Sequence, residues 1–195
     1  LMQSLFNFIV KPKEERYDNK KYIDGQELLL NTEISDHRYV SRNGVVTATP
    51  KSYKGKIKVG DEVIVHHNLF RRWYNGRGIE NNSSNYYTEN QYFVEENQIF
   101  LYKQNNKWNP VKGYCFVKPI ESNNIAEKEI PHRGIIKYVD KNLKGIQKED
   151  LVGFTPNSKY EFIIEGERLY RVLTKFITVK YEREGTEKEY NPSWL

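Results

Sequence analysis

The residues best suited to binding chemistry lie in one basic and aromatic run, LFRRWYNGRG, at positions 69–78. Arginines interleaved with aromatic rings can neutralise phosphates and stack single-stranded bases. The alternative is a surface hairpin turned by Asn75-Gly76, with arginines that are solvated or pair with neighbouring subunits. We expect the second alternative, so nucleic acid is not an expected partner. The candidate nucleic-acid patch comprises Arg71, Arg72, Trp73, Tyr74 and Arg77.

The histidines and the single cysteine do not form a metal or nucleophilic site in the sequence. His66 and His67 are adjacent strand residues, whose side chains are expected to point to opposite faces and not to one ion. His37 and His132 lack ligand spacing. Cys115 lies in a strand pattern, where a buried, inert thiol is expected.

Paired carboxylates do not indicate catalysis either. Glu14-Glu15 and Glu95-Glu96 stand in charged turns, where solvated charge accounts for them. The sequence has no Ser/His/Asp arrangement, phosphate-binding loop or dinucleotide fingerprint. We therefore expect a protein that is not an enzyme and that holds neither cofactor nor metal.

A short apolar segment offers binding chemistry of another kind. Leu28, Leu29 and Leu30 follow the strongly polar stretch KPKEERYDNKKYI at 11–23. Strand side chains alternate, so the three cannot share one face, and they are too few for one face of a long helix. The triplet is either a short element tucked onto the body or an exposed anchor for a hydrophobic groove on a partner.

Short strands are the elements that must position these residues. Hydrophobic residues make up only 37% of the 195, but aromatic residues reach 14%, including fifteen tyrosines. Tyrosine buries a large area on a strand and keeps a polar tip in water. Runs of β-branched and aromatic residues recur between turn residues, without a sustained helical period. The sequence predicts an all-β fold with little helix.

Composition also limits the function classes. The net charge of +5 is spread along the chain, which permits nucleic-acid binding without requiring it. The single cysteine excludes an internal disulfide framework and a cysteine-based zinc site. No apolar run approaches the ~20 residues of a membrane span, and no secretory leader is visible. We expect a cytoplasmic protein without a membrane partner.

Four pairs of similar segments recur in the same order along the chain. Four ordered matches arise by chance much less often than one, so we interpret them as two copies of a small β unit joined around 104–113. The pairs are FIVKP (8–12) with CFVKP (115–119), NGVVTAT (43–49) with RGIIKYV (133–139), KVGDEVIV (58–65) with QKEDLVGF (147–154), and YFVEENQIFLYK (92–103) with YRVLTKFITVKY (170–181).

This order of segments resembles the GroES family of co-chaperonins. In that family a strand ending in V-K precedes a mobile loop with an apolar triplet, and a G-x-V strand, the phrase V-K-V-G-D-x-V-I-F and a closing strand follow. The best match is IKVGDEVIV at 57–65, where Gly60-Asp61 makes a tight turn. The resemblance covers about residues 5–103 and, less well, 113–182. The second copy lacks an apolar triplet between its first two strands.

The resemblance implies an all-β chain of two tandem GroES-like β-barrels. The first, 1–104, carries the long mobile loop and a large hairpin insertion at 71–90. A linker at 105–112, a shorter barrel at 113–182 and a charged, loose tail at 183–195 follow. Ring assembly in that family pairs the first strand of one subunit with the last of its neighbour. We therefore expect 6–10 and 176–181 to be sheet edges, and 98–102 to pair with 114–117.

The function implied by the resemblance is that of a cap on a GroEL-type chaperonin. The mobile loop would dock into the chaperonin, the chain would form a homo-oligomeric ring, and the chaperonin would bind the ATP. A bacteriophage source would suit the tandem arrangement. The alternatives are a structural or assembly protein, for example of a virion, and a single-stranded nucleic-acid-binding barrel. The docking residues implied are Glu27, Leu28, Leu29, Leu30, Asn31 and Thr32.

Overall fold

A computed structural model describes residues 3–30, 32–34, 36–124 and 126–192. Within these residues the fold is all-β, as predicted, and helix is confined to three single 3-10 turns, His37–Tyr39, Glu96–Gln98 and Thr174–Phe176. The strands are β1 (Phe8–Pro12), β2 (Lys20–Ile23), β3 (Gln26–Leu29), β4 (Asn43–Ala48), β5 (Glu62–Val65), β6 (Arg72–Tyr74), β7 (Glu80–Asn82), β8 (Tyr86–Thr88), β9 (Gln91–Val94), β10 (Ile99–Gln104), β11 (Lys107–Pro110), β12 (Tyr114–Glu121), β13 (Glu129–Tyr138), β14 (Leu151–Phe154), β15 (Lys159–Ile164), β16 (Glu167–Leu173) and β17 (Ile177–Tyr181).

The chain divides into two units, Leu1–Lys107 (unit 1) and Trp108–Leu195 (unit 2). The boundary and β11 both fall within 105–112. One sheet has the order β11-β10-β5-β4-β1-β9-β8 and the other β15-β16-β12-β13-β14-β17, while β2–β3 and β6–β7 are separate two-stranded sheets. Among the described residues the sheets do not close into a barrel.

The two units have the same order of six strands. Unit 1 contains β10-β5-β4-β1-β9-β8 and unit 2 contains β17-β14-β13-β12-β16-β15, so each strand has a counterpart at the same place. The four sequence matches fall on these counterparts: β1 with β12, β4 with β13, β5 with β14, and β9–β10 with β16–β17. The repeat seen in the sequence therefore corresponds to a repeat in strand order.

The pairing register is also the same in the two units. Both opening strand pairs carry an irregularity just before the central valine of the opening strand. Because strand side chains alternate, an equal register places equivalent residues on the same face. The paired residues are Val10 with Val46, Lys11 with Val45 and Pro12 with Gly44 in unit 1, and Val117 with Ile136, Lys118 with Ile135 and Pro119 with Gly134 in unit 2.

The turn that precedes β5 recurs before β14. The Asp61 carboxylate accepts a hydrogen bond of 2.8 Å from the Lys58 backbone N–H, and Asp150 accepts one of 2.8 Å from Gln147. Gly60 adopts φ 92° in the first turn, and Glu149 adopts φ 71° at the matching position. A positive φ is easy for glycine and strained for other residues, so the second copy keeps the turn at some cost.

The core of unit 1 combines strands in which burial alternates with strands such as β5, in which Val63, Ile64 and Val65 are all buried. In β9, Tyr92 and Val94 are buried while Gln91 and Phe93 are only partly so, which is the period of two expected for a half-buried strand. Unit 2 has a core of the same kind around β12 and its neighbours. Its buried members are Cys115, Val117, Ile136, Val152, Phe154, Tyr170 and Val172.

Three expectations about edges and the tail are wrong. Strand β1 lies between β4 and β9, so residues 8–10 are not an edge, whereas β17 is an end strand as expected. Strand β12 lies between β13 and β16 and does not pair with 98–102. The tail is not loose throughout, because the Tyr190 N–H donates to the Pro119 carbonyl oxygen at 2.8 Å and Glu189 pairs with Lys118 at 2.6 Å.

Candidate functional site

The leucine triplet lies on a hairpin that stands apart from the main sheet of unit 1. Strands β2 and β3 pair antiparallel and form a two-stranded sheet of their own. Asp24 (φ 51°) and Gly25 (φ 79°) connect them, both with positive φ, as a two-residue type I′ turn requires. This hairpin belongs to the long connection between β1 and β4, the position at which the resemblance places a docking loop.

The three leucines are exposed in the chain by itself. Leu28, Leu29 and Leu30 are 50%, 48% and 45% exposed, and all eight residues of β2 and β3 are exposed. Glu27 and Thr32 are exposed too, whereas Asn31 lies outside the described residues. A cluster of large exposed apolar side chains is typical of an interaction surface. Within this chain the triplet is not packed into the core.

A polar network closes one side of the hairpin. The Tyr22 hydroxyl donates to Glu27 Oε2 at 2.9 Å, and Lys20 Nζ lies 3.4 Å from Glu27 Oε1. The hydrogen bonds from Tyr22 and Lys20 hold the pKa of the Glu27 carboxyl below its usual value. Lys20 also lies 3.7 Å from Glu15, so the network continues to the residues that lead into β2.

Tyr17 fixes the base of this connection to unit 1. Its side chain is buried, and its backbone forms an isolated bridge with Val40. The Tyr17 hydroxyl donates to the Ile34 carbonyl oxygen at 2.6 Å and accepts a hydrogen bond of 2.7 Å from the Arg72 backbone N–H. The hairpin is therefore held at its base and exposed along its length.

Two residues of this surface were not predicted from the sequence. Tyr22 and Ile23 are 68% and 50% exposed and stand opposite Glu27 and Gln26 in the hairpin. The dipeptide Asp24-Gly25 was the available signal, since Asp-Gly between strand residues is typical of a two-residue hairpin. It places Tyr22 and Ile23 next to the leucines.

Some residues of the candidate nucleic-acid patch support the fold, and others are exposed. Strand β6 pairs with β7, and the connecting loop is held by the Asn75 side chain, which accepts from the Arg77 and Ile79 backbone N–H groups at 2.9 and 3.0 Å. Arg72 pairs with Glu80 at 3.1 Å and lies 5.2 Å from the Tyr17 ring centre. Arg72 therefore has a structural role.

The other members of that patch are more accessible. Trp73 and Tyr74 are 37% and 58% exposed, and Arg77 is exposed at the tip of the hairpin. Arg71 is partly buried and precedes β6. The exposed part of the patch thus consists of two aromatic rings and one arginine.

The histidines lie closer together than their sequence positions indicated. The rings of His66 and His67 stack with centres 4.2 Å apart, and His37 lies 5.7 Å from His67. The expectation that the His66 and His67 side chains point to opposite faces is wrong. Strand β5 ends at Val65, so both histidines lie beyond the strand, where side chains need not alternate. In the described part of the chain no group of three or more His, Cys, Asp or Glu residues is arranged to hold a metal ion.

The histidine cluster predicts a loss of stability in mild acid. Burial, followed by the charges of His66, Arg42, His37 and Arg71, lowers the pKa of His67 from 6.5 to about 4. The unfolded chain therefore takes up the His67 proton first, and the free energy of unfolding falls as pH drops from 6.5 towards 4. Allowing for solvent screening of a half-buried ring, we expect a loss of about 1–2 kcal/mol.

Urea unfolding at pH 7, 6 and 5 measures this effect. The variant His67→Gln removes the titrating ring, so its pH dependence over the same range should be weaker than that of the wild type. An equal slope in both proteins would contradict the assignment.

Burial accounts for Cys115, and a local hydrogen bond accounts for Glu95. Cys115 is buried, and burial raises the pKa of its thiol to about 12, so the reactive thiolate is suppressed. At the 3-10 turn Glu96–Gln98, the Gln98 side-chain oxygen accepts a hydrogen bond of 3.0 Å from the Glu95 backbone N–H. These groups have structural roles.

Comparison with known proteins does not place the chain in a family. No protein-family model matches the sequence, and no curated protein shows a significant sequence match. None of the helices within the described ranges is long and apolar enough to cross a membrane.

Proposed function

We propose that this protein is a co-chaperonin-like cap, which docks the exposed β2–β3 hairpin into a hydrophobic groove of a GroEL-type chaperonin ring. The observation that carries the proposal is the exposure of Leu28, Leu29 and Leu30. They lie on a hairpin between β1 and β4, the first two strands of the main sheet of unit 1. The chain needs no catalytic group for this role, because the chaperonin would bind and hydrolyse the ATP.

The finer fold belongs to the same proposal. Each unit would be a GroES-like β-barrel, closed by contacts beyond the strand pairs described above. Support comes from the equal strand order and register of the units, and from the turn at Gly60-Asp61 with its counterpart at Glu149-Asp150. Only unit 1 carries a leucine triplet, so each chain would supply one docking hairpin.

The energetics favour several hairpins acting together. Burying a leucine side chain yields roughly 1.5–3 kcal/mol before the costs of association are subtracted. One hairpin would therefore bind weakly and release readily. Several copies on one ring would bind strongly, since each further contact is intramolecular.

Self-association is proposed from the open edge of unit 2. Strand β17 ends its sheet, and Val179 on it is 45% exposed. Residues ahead of β1 are also exposed, with Leu5 at 57% and Phe6 at 84%. Unpaired edges are prone to pair with another chain. Residues before β1 of one copy would pair with β17 of the next copy, and repetition of this contact would form the homo-oligomer.

Replacing the whole triplet tests the proposed function. The variant Leu28→Ser/Leu29→Ser/Leu30→Ser should lose at least about a hundredfold in affinity for a GroEL-type chaperonin with ATP, because the buried apolar area is removed. The matched control is Ile79→Ser. It alters a 57% exposed residue in the loop between β6 and β7, away from the triplet in sequence, and this variant should bind the chaperonin normally. Unchanged binding by the triple variant would refute the proposal.

A second candidate is single-stranded nucleic-acid binding, which the exposure of Trp73 and Tyr74 favours. Two exposed rings beside Arg77 could stack bases. Because Arg72 supports the fold, the informative variant is Trp73→Ala/Tyr74→Ala. Salt-dependent binding to a single-stranded oligonucleotide, lost in this variant, would support this candidate.

A further inference from the structure

We propose that the two faces of the β2–β3 hairpin differ in role, and that the face bearing Ile23, Leu28 and Leu30 is the one that docks. This inference rests on the proposed function and deepens it, because it adds Ile23 to the docking surface and removes Leu29. It divides the leucine triplet, whose members otherwise have nearly equal exposure.

The pairing register assigns each residue to a face. Lys20 pairs with Leu29, Lys21 with Leu28, Tyr22 with Glu27 and Ile23 with Gln26. The Leu30 backbone N–H donates to the Asn19 carbonyl oxygen at 2.7 Å, which extends the ladder by one pair. Directly paired residues share a face, and neighbours along a strand alternate. The polar face thus carries Lys20, Tyr22, Glu27 and Leu29, and the aliphatic face carries Asn19, Lys21, Ile23, Gln26, Leu28 and Leu30.

The polar face is poorly suited to an apolar groove. Glu27 holds the Tyr22 hydroxyl at 2.9 Å and the Lys20 ammonium at 3.4 Å, so its carboxylate and both partners lie around Leu29. Covering this face would remove water from an ion pair, and the desolvation of two charges offsets what a single leucine contributes.

The aliphatic face has the composition of a docking surface. Ile23 and Leu28 lie diagonally across the two strands, within reach of each other, and are each 50% exposed. Leu30 follows two residues after Leu28 on the same side. The remaining members are Asn19 and Gln26, which are uncharged, and Lys21, whose long side chain can keep its ammonium in water at the rim. An apolar groove would cover three aliphatic side chains without burying an ion pair.

Single substitutions measured against a purified GroEL-type chaperonin with ATP test this assignment. Threonine is β-branched and keeps strand propensity, so the hairpin should persist in each variant. We expect Ile23→Thr and Leu28→Thr each to weaken binding about tenfold or more, and Leu29→Thr to weaken it less than about threefold. Leu29→Thr is the matched control, since it changes the adjacent leucine of equal exposure.

The outcomes separate this inference from the proposed function. If Leu29→Thr weakens binding as much as Leu28→Thr, or if Ile23→Thr binds as the wild type does, the two-face assignment is overturned while docking by the hairpin stands. If the triple serine variant binds normally, or the wild type fails to bind, the proposed function falls and the assignment with it. Cross-strand contacts of residue 23 with Gln26, measured by NMR, verify that the hairpin persists in each variant.

Discussion

Replacing Gly134 by alanine will lower the free energy of unfolding of unit 2 by about 2–3 kcal/mol. A Cβ atom at Gly134 would lie 2.8 Å from the Lys118 carbonyl oxygen and 3.0 Å from Val117 Cβ and Cγ2. The oxygen belongs to the paired strand β12, so relief of the clash requires the two strands to separate. Urea unfolding combined with amide hydrogen exchange in β12 and β13 measures the loss.

The control for this prediction is Gly76→Ala. No heavy atom lies within 4 Å of a Cβ built at Gly76, and stability should change by less than about 0.5 kcal/mol. Gly44, the counterpart in unit 1, meets the same obstacle, with Lys11 O at 3.2 Å and Val10 Cγ1 at 2.5 Å. Stability equal to wild type in Gly134→Ala would show that β12 and β13 are not packed as described.

Replacing Arg16 by leucine will destabilise unit 1 by about 2–4 kcal/mol. Arg16 is only 8% exposed. Its Nε donates to the Phe70 carbonyl oxygen at 3.1 Å, and its Nη2 donates to Asn82 Oδ1 at 2.8 Å. The guanidinium also lies 5.5 Å from the ring centres of Tyr86 and Tyr92. Leucine would leave two acceptors unsatisfied and remove the cation–π contacts.

Arg16→Lys should recover part of the loss, because lysine keeps the charge but lacks the planar fork that reaches both acceptors. The control is Lys13→Ala, which removes an exposed ion pair of 2.9 Å with Glu62 and should cost less than about 1 kcal/mol. Thermal unfolding of the three variants ranks them. If Arg16→Leu were no more harmful than Lys13→Ala, Arg16 would not support the base of the 71–90 insertion.

Much of the fold could be predicted because local patterns and tertiary pairing agree. The matched segments FIVKP and CFVKP became central strands, and each pairs with a strand whose glycine lies against it. The turn at Glu165-Gly166 likewise carries a glycine between two strands, and Ile164 pairs with Glu167 across it. A period of two indicates the inward side chains only in half-buried strands such as β9, because all four residues of β14 are buried.

Strand neighbours in the sheet were harder to predict, because adjacency depends on contacts distant in sequence. The apolar character of residues 8–10 suits an edge or a centre equally well, and only pairing with both β4 and β9 decides it. The tail shows the same limit, since its charges did not reveal that Glu189 pairs with Lys118. Local composition does not predict which distant residues a strand or a charged side chain will contact.

The sequence drew the leucine triplet to notice as one of two alternatives, an exposed anchor or a packed element, but it did not predict the hairpin that carries the triplet. The leucine triplet drew attention by its polar setting, while the Asp24-Gly25 turn that makes it a hairpin was not recognised. Without the turn, Ile23 and Tyr22 could not be placed beside the leucines. The predicted orientation of His66 and His67 was wrong for a similar reason, because the end of β5 at Val65 could not be located from sequence to within one residue.

Negative-stain images of this protein mixed with a GroEL-type chaperonin and ATP show whether it acts as a cap. We expect additional density that closes the end of the chaperonin ring with the wild type and is absent with the triple serine variant. Open ring ends in the presence of excess folded wild-type protein would contradict it.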